Sequence, residues 1–287
     1  FKNDFNINLK NLNSVGKNNN EYKSSPQIEL MSMINFNSTL PLRKEDNYHN
    51  NFITPKLSLK INPHDMKNYS SSDRKISTEN IFNDNRLALD DTLETGNSIT
   101  VGIDYKKEKI ADINKFFEMK LATVIREEEE IFIPNNSTIN KKSSNLFGSI
   151  TNNFSEHLNV DYEFAIDNNF DIFEYSNFSA NIKFNSFETR FNLIEENGEM
   201  GDSNVFENTS KFVVDENNHI SFKTRRNRRI NLTEYYDLVY EYKNDCLTAG
   251  IKYKKTYYED RDLKPAENIF FTITLYPLTT FEQKIDR

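Results

Sequence analysis

The residues with the greatest chemical capacity in this sequence are four histidines, an acidic run, an arginine cluster and one cysteine. The histidines lie far apart, with no spacing typical of metal ligands. We expect them to be exposed polar residues: His49, His64, His157 and His219. The sequence contains no glycine-rich phosphate loop and no nucleophile elbow. It therefore predicts neither an enzyme nor a metal or cofactor site.

Two charged clusters could bind ions or phosphate groups. The run Glu127 to Glu130 is predicted to be a solvated part of a long loop, because like charges repel; the alternative is contact with a divalent cation near anionic lipid headgroups. The basic cluster consists of Arg225, Arg226, Arg228 and Arg229. Solvated charge is its default interpretation, and bidentate contact with sugar-linked phosphates at a membrane surface is the alternative. A nucleic-acid partner is disfavoured, because the net charge is −8.

The elements that must position these residues are β-strands, because apolar and polar side chains alternate along most of the chain. The clearest alternation lies in the predicted final strand. Its members are Asn268, Ile269, Phe270, Phe271, Thr272, Ile273, Thr274, Leu275 and Tyr276. We expect Pro277 to end the ladder, since proline removes a backbone donor. In an earlier strand, Asp237 and Glu241 share the face opposite Tyr240. Such regularly spaced charge favours a wet interior over a dry core.

The connections between the predicted strands alternate between long and short. Counting gives about fourteen strands, no clear helix and no second domain. The long loops are 62–96, 126–144, 196–202, 226–230 and 261–266, and the short turns are 110–114, 185–186, 215–218 and 244–245. One departure is Leu40 to Asn51, which is long but belongs to the short-turn rim. Loops segregated in this way are typical of outer-membrane barrels. The sequence therefore predicts an all-β, antiparallel, up-and-down transmembrane β-barrel, of which this chain is a part.

Four tyrosines lie at strand ends: Tyr235 and Tyr236 begin one predicted strand, and Tyr257 and Tyr258 end the strand that follows it. Antiparallel pairing brings all four to the long-loop rim. Two interpretations stay open, an aromatic girdle at the membrane interface and cross-strand aromatic pairing of the kind that stabilises any sheet.

The single cysteine, Cys246, lies at a tight turn on the short-turn rim. In an outer-membrane barrel that rim faces the periplasm, which is oxidising. A buried or idle thiol is one hypothesis. The other is a disulfide whose partner lies on a segment outside this chain.

Several segments resemble the LptD family of lipopolysaccharide-assembly outer-membrane proteins, also called OstA or Imp. The resemblance covers most of the chain. Its most specific part lies in roughly the last sixty residues, in the runs 235–253 and 257–265 with the strand that follows. Phe82 to Tyr105, with Asn85-Arg86, Asp90-Asp91 and Gly96, resembles a long loop of the family, although Ala88 stands where a glycine is usual. Residues 54–59 resemble another family strand.

The resemblance implies a transport role without covalent chemistry. It implies a lateral gate formed by the strand Asn268 to Tyr276, through which lipopolysaccharide enters the outer leaflet, and a disulfide from Cys246 to a periplasmic domain. The implied partners are an LptE-like lipoprotein plug and a periplasmic bridge protein, in the outer membrane of a Gram-negative bacterium. Because the chain opens at Phe1 without an initiator methionine, we expect residues 1–287 to be the C-terminal portion of the barrel, without the periplasmic jellyroll domain and first strands.

Two other classes stay open, another outer-membrane barrel such as a porin or adhesin, and a soluble β-rich interaction domain. Cys246 and its flanking strands favour the resemblance over a porin, since ordinary porins seldom need a tether to a periplasmic domain. The loop pattern and the charged alternate face favour a membrane barrel over a soluble domain.

Overall fold

The computed structural model describes residues 1–18, 24–257, 265–275 and 279–285. Its sixteen strands form an antiparallel sheet in which each strand pairs with the next along the chain, except that the short β3 pairs only with β4. The all-β, up-and-down fold class is confirmed, and this strand order is the one a barrel segment requires. In the described residues, no helix has the length and apolar character needed to cross a membrane.

The strands and the two short 3₁₀ helices have the following bounds. They are β1 (Lys2–Ser14), β2 (Gln27–Thr39), β3 (Leu42–Glu45), β4 (His49–Asn62), β5 (Gly96–Lys109), β6 (Asp112–Arg126), η1 (Asn135–Ser137), β7 (Leu146–Ser155), β8 (Leu158–Ile166), β9 (Phe173–Phe184), β10 (Phe187–Glu196), η2 (Gly198–Met200), β11 (Ser203–Val213), β12 (Asn218–Asn227), β13 (Leu232–Lys243), β14 (Leu247–Thr256), β15 (Ala266–Leu275) and β16 (Thr279–Ile285).

The chain divides into two compact units. Unit 1 comprises Phe1–Ile150, Glu163–Tyr175 and Asn197–Gly201. Unit 2 comprises Thr151–Tyr162, Ser176–Glu196 and Asp202–Arg287.

In unit 1 the alternation predicted from the sequence produces one apolar and one polar face. Leu59 of β4 pairs with Ile99 of β5, and Ile99 pairs in turn with Ile125 of β6. These positions and their alternate neighbours form an apolar face, on which Ile99 is 42% and Ile125 is 49% exposed. The intervening residues, among them Lys60 and Ser98, form the polar face and are buried.

Unit 2 repeats the two faces. Leu238 of β13 pairs with Phe222 of β12 and with Tyr253 of β14, and these three side chains share the apolar face. The next residue, Val239, pairs with Lys252 on the opposite face, next to Asp237, whose carboxylate lies 3.3 Å from the Lys252 ammonium. Leu238 is 46% exposed. An exposed apolar face opposite a charged one is the arrangement expected of strands between lipid and water.

Leu40 to Asn51, the long connection at the rim of short turns, contains a small hairpin. Residues Leu42–Glu45 form β3, which folds back on the start of β4. The tight turn between them is closed by Asp46, whose Oδ1 accepts the N–H groups of Tyr48 at 2.8 Å and His49 at 2.7 Å. Those two hydrogen bonds lower the pKa of Asp46. The connection at the rim is therefore short, as parity requires.

Two strands were missing from the predicted set. The charged strand β3 has only four residues, all exposed, so it shows no alternation. The strand after the proline, β16, alternates only weakly, yet it pairs with β15 over seven residue pairs. The prediction that residues 268–276 form the last strand is therefore wrong, because β15 has a partner on each side. Tyr276 and Pro277 lie outside the described residues.

Neighbouring residues on opposite faces provide a test of the two-faced sheet. In full-length protein, Leu238→Arg should lower the free energy of unfolding by about 2–4 kcal/mol, because it places a charge against lipid. Val239→Arg introduces the same group on the polar face and should cost less than about 1 kcal/mol. Urea unfolding in lipid bilayers measures both values. Equal losses for the two variants would show that the apolar face does not meet lipid.

Candidate functional site

The largest feature on the polar face of unit 1 is the connection from β4 to β5, residues 63–95, here called the covering loop. It contributes buried side chains to the largest hydrophobic cluster among the described residues. That cluster consists of Met66, Ile76, Ile81, Leu87, Leu89, Ala122, Val124, Ile133, Ile139, Phe147, Ala165 and Met200. Because Ala122 and Val124 belong to the polar face of β6, the loop places a small apolar core where the strand alternation predicts contact with water.

Beside this core lies a buried group of three charges. Arg86 of the covering loop donates from Nε and Nη2 to the two carboxylate oxygens of Glu94, at 2.8 and 2.5 Å. Arg126, at the end of β6, pairs with the same carboxylate. Arg86 also donates to Thr100 Oγ1 at 2.8 Å and to Ser98 Oγ at 3.0 Å, both on β5. The group therefore joins the loop to two strands.

The electrostatics of this group favour an ionised carboxylate. Burial by itself would raise the pKa of Glu94, but Arg86 and Arg126 hold that pKa well below its usual range. A carboxyl whose pKa is lower in the folded state stabilises the fold above its unfolded pKa. The contribution is therefore complete at neutral pH, and it is lost only as the pH falls far below the usual carboxyl range.

Two lysines of the sheet hold other parts of the loop through its backbone. Lys60 of β4 is 2% exposed. Its Nζ donates to the carbonyl oxygens of Asn83 at 2.6 Å and Asp84 at 2.9 Å. The Nζ of Lys10, on β1, donates to the carbonyls of Leu89, Asp90 and Thr92 at 3.2, 3.1 and 3.0 Å. The covering loop thus lies across the polar faces of β1, β4, β5 and β6.

The segment that resembles a family loop, Phe82 to Tyr105, forms turns that hold the covering loop against the sheet. Asn85 closes a turn by accepting the N–H of Leu89 at 2.8 Å and donating to its carbonyl at 2.9 Å. Within that turn Ala88 adopts a φ of 50°, a left-handed conformation that glycine adopts at lower cost. Gly96 has a φ of 78°, and a Cβ there would lie 2.6 Å from Glu130 Oε1. The positive φ therefore favours a glycine at this position, beside the Glu130 side chain.

The second long connection, residues 127–145, packs against the covering loop. The N–H of Tyr69 donates to the carbonyl of Phe132 at 2.8 Å, and Arg126 Nε donates to the carbonyl of Ile139 at 2.5 Å. The acidic run begins this connection. Glu127 Oε2 accepts a hydrogen bond from Asn97 Nδ2 at 2.8 Å, so part of the run has a structural partner. Neither interpretation of its charge is tested.

The arginine cluster has partners within unit 2. Arg225 lies 3.0 Å from Glu207 and 2.8 Å from Glu234. The other three arginines pair as Arg226 with Asn231, Arg228 with Glu195 at 3.1 Å and Arg229 with Asp202. Contact with sugar-linked phosphates stays a prediction, and a phosphate would have to compete with these carboxylates.

The tyrosines make the cross-strand contacts that the sequence suggested. The rings of Tyr236 and Tyr257 meet edge to face with centroids 5.8 Å apart, and Tyr236 stacks on Phe222 at 6.0 Å. Tyr235 points to the opposite face, since it neighbours Tyr236 on β13. Tyr258 lies outside the described residues. The interfacial girdle stays a prediction beside the observed pairing.

Cys246 is exposed, in the turn from β13 to β14. Its N–H donates to Asn244 Oδ1 at 3.0 Å, so Asn244 closes this turn as Asp46 closes the turn before β4. The buried-thiol hypothesis is wrong. An idle exposed thiol and a disulfide to another segment both stay open.

Sequence reasoning missed the charged group on the polar face of unit 1. The segment around Arg86 was noted as a resemblance, without a role. Lys60 and Arg126 lie on the polar face of strands with clear alternation. Their charge at those positions was a signal from which the site could have been found. Glu94 lies in an irregular loop where no periodicity could mark it.

The ion pairs among Arg86, Glu94 and Arg126 should determine how tightly the covering loop is held against the sheet. Glu94→Gln removes the carboxylate that pairs with two buried arginines. The free energy that holds the covering loop against the sheet should fall by about 3 kcal/mol or more. Proteolysis of the loop should then be about a hundredfold faster in full-length protein, provided cleavage follows the open population. The matched control is Glu79→Gln, which removes an exposed carboxylate 2.7 Å from Lys120 and should cost less than about 1 kcal/mol. Equal rates in both variants would contradict the assigned role of Glu94.

Comparisons with known proteins bear on the family. A family model described as LptD, LPS transport system D, matches residues 3–208. The matched range includes the whole covering loop, but neither Cys246 nor the arginine cluster. The segment with the most specific resemblance in the sequence, from residue 235 onwards, lies entirely beyond it. No curated protein matches this chain.

Among solved structures, a triple mutant of the Rhodopseudomonas blastica porin is 7% identical, with a TM-score of 0.39, over 98% of this chain and 93% of that one. Another mutant of the same porin is also 7% identical, with a TM-score of 0.39, over 96% and 90% of the two chains. A structure described as "Asymmetric conductivity of engineered proteins" is 7% identical, with a TM-score of 0.35, over 99% and 98%.

The family match is different in kind, because it extends over well over half of the chain, from β1 into β11. This chain belongs to the LptD family, which points to lipopolysaccharide transport at the outer membrane of a Gram-negative bacterium.

Proposed function

We propose that this chain is part of the outer-membrane translocon that inserts lipopolysaccharide into the outer leaflet. The observation that carries the proposal is the family match over residues 3–208. The structure supports it through the two faces of the sheet. An exposed apolar face suits contact with lipid, and a polar face suits the passage of a saccharide.

Transport of this kind needs a path that is closed at rest. The covering loop supports that requirement, because it lies over the polar faces of β1, β4, β5 and β6 and is held by buried ion pairs. A loop seated in this way would block movement of solutes along the face beneath it. Passage of a saccharide would then require the loop to leave its seat.

Release of the acyl chains sideways into the membrane requires two strands to part, since lipid supplies no partners for an open sheet edge. The strand assigned to such a gate from the sequence, residues 268–276, does not end the described sheet. Because β15 pairs with both β14 and β16, we place the proposed seam at the free side of β16, Thr279–Ile285. A seam there would leave the β15 ladder intact.

The proposed partners follow from the family. They are lipopolysaccharide itself, an LptE-like lipoprotein plug within the barrel, and a periplasmic bridge protein that docks on an N-terminal jellyroll domain of the full-length protein. In unit 2 the described connections are short, such as Asn244 to Cys246 and residues 228–231. That shortness supports the proposed plug, because a separate protein could then reach the polar face of this unit.

Depletion of the full-length protein in its own cells tests the proposed function. We expect surface lipopolysaccharide to fall and lipopolysaccharide to accumulate at the inner membrane, with other outer-membrane barrels still folded. Labelling of intact cells with a lipopolysaccharide-specific antibody, together with membrane fractionation, measures both effects. Restored expression of the wild-type protein is the control. Unchanged surface lipopolysaccharide after complete depletion would overturn the proposal.

We also propose that Cys246 forms a disulfide with a periplasmic segment outside this chain. Its exposure, at a tight turn on the short-turn rim, supports that proposal. In full-length protein, non-reducing and reducing gels should show different mobilities for the wild type and the same mobility for Cys246→Ser.

Asp245→Ser is the matched control, because it changes the same turn and keeps the thiol. Identical behaviour of wild type and Cys246→Ser on non-reducing gels would exclude the disulfide.

A further inference from the structure

We propose that the polar face beneath the covering loop is a binding track for a phosphorylated saccharide, and that the loop occupies this track at rest with its own oxygen atoms. The inference rests on the proposed function and names the part of the substrate that the site would hold. The track is defined by Lys10 of β1, Asn35 of β2, Ser58 and Lys60 of β4, and Arg126 of β6.

The contacts between track and loop are of a kind that another ligand could reproduce. Lys10, Lys60 and Arg126 all donate to backbone carbonyls of the loop, and Arg126 Nη1 reaches the carbonyl of Thr95 at 2.8 Å. A lysine or arginine that holds a carbonyl oxygen can hold a phosphate oxygen in the same place, and more strongly, because the hydrogen bond then joins two charged groups. Lys10 and Lys60 therefore recognise oxygen atoms of the loop backbone, while Arg126 binds both a backbone carbonyl and the carboxylate of Glu94.

Three basic side chains are buried where the loop meets the track. They are Lys60, Arg86 and Arg126, and the buried carboxylate of Glu94 pairs with both arginines. Buried charge is costly unless it is paired. When the loop leaves, Arg86 and Glu94 leave with it, so Arg126 loses its ion-pair partner and Lys60 loses the carbonyl oxygens that it binds. An incoming phosphate would restore the missing negative charge.

A second, independent observation lies beside Lys60. Its cross-strand partner is Asn35, which is 0% exposed, as is Ser58. Neither amide atom of Asn35, nor the hydroxyl of Ser58, has a hydrogen-bond partner in the described part of the chain. Buried polar groups are nearly always hydrogen-bonded in proteins. An amide and a hydroxyl next to an ammonium are the groups that bind sugar hydroxyls beside a phosphate.

The loop is held differently over its two halves. Over β6 it packs through buried apolar side chains, such as Ile81 against Val124 and its neighbours. Over β1 and β4 lysines donate to its carbonyls, beside a smaller apolar cluster in which Leu93 of the loop packs with Leu12, Met31 and Met33. Water can replace the lysine contacts at little cost, whereas exposure of apolar side chains costs free energy. We therefore expect the loop to open first at Lys10 and Lys60, where the smaller of the two apolar clusters holds it and the unpartnered amide lies.

The test measures binding of a phosphorylated core oligosaccharide to purified full-length protein in lipid nanodiscs, with the dephosphorylated oligosaccharide and inorganic phosphate as separate probes. In the wild type the loop competes for the track. If the track is open a tenth of the time or less, Arg86→Gln should bind the phosphorylated probe about tenfold more tightly. Adding Lys60→Met should remove that gain. Adding Lys252→Met instead, a polar-face lysine of unit 2, should leave it.

Three results would overturn the proposal: no gain in Arg86→Gln, equal binding of the phosphorylated and dephosphorylated probes, or equally tight binding of inorganic phosphate alone. The depletion experiment does not depend on these results. Loss of surface lipopolysaccharide without binding in nanodiscs would reject the track and keep the proposed function.

A disulfide lock keeps the proposal testable if Arg86→Gln misfolds. Asn6 Nδ2 of β1 lies 3.3 Å from Asp84 Oδ2 of the loop, beside the carbonyls that Lys60 binds, so Asn6→Cys with Asp84→Cys can cross-link this half of the loop to the sheet. Oxidation should abolish binding of the phosphorylated probe, and reduction should restore it, with each single cysteine variant unaffected. Binding that persists in the oxidised double variant would show that the loop does not occupy the track.

Discussion

A single buried carboxylate organises the interior of unit 1. Glu94 accepts both arginines, Arg86 from its own loop and Arg126 from β6. The two ion pairs of Glu94 are surrounded by the apolar core of the covering loop, the turn at Asn85 and the connection formed by residues 127–145. An ion pair buried in protein gains little net free energy over apolar packing, but removal of one partner is costly. Its value here is positional, because it joins the covering loop to the ends of β5 and β6, where no strand pairing can hold it.

The two faces of the sheet are suited to two different environments, lipid and water. Its apolar face carries isoleucine, leucine and aromatic side chains at every second residue, and its opposite face carries lysine, aspartate and glutamate. In water alone, an exposed face such as that around Ile99 and Leu238 would favour association of the chain with other molecules. Under the proposed function, the apolar face meets lipid and the polar face is the route available to a saccharide.

Sequence reasoning recovered what local alternation determines. The strands β13, β14 and β15 were predicted because apolar and polar residues alternate along them, and the contact between Tyr236 and Tyr257 followed from the pairing of β13 with β14. The hairpin at β3 was hidden because four exposed residues carry no pattern. The strand β16 was missed because a proline before it suggested an end to the sheet. The position of the covering loop on the polar face could not be predicted. It depends on contacts of Lys10, Lys60 and Arg126 with residues far away along the chain.

Hydrogen exchange tests the central claim, that buried charges hold residues 63–95 against the polar face. In full-length protein in nanodiscs, the hydrogen-bonded backbone amides of the loop should exchange slowly. They include Ile81 and Leu89, which donate within the loop, and Tyr69, which donates to Phe132. Slow exchange in the wild type, with a large acceleration confined to this loop in Arg86→Gln, is the result that the account predicts. Amides of the loop that exchange as fast in the wild type as those of a free peptide would contradict it.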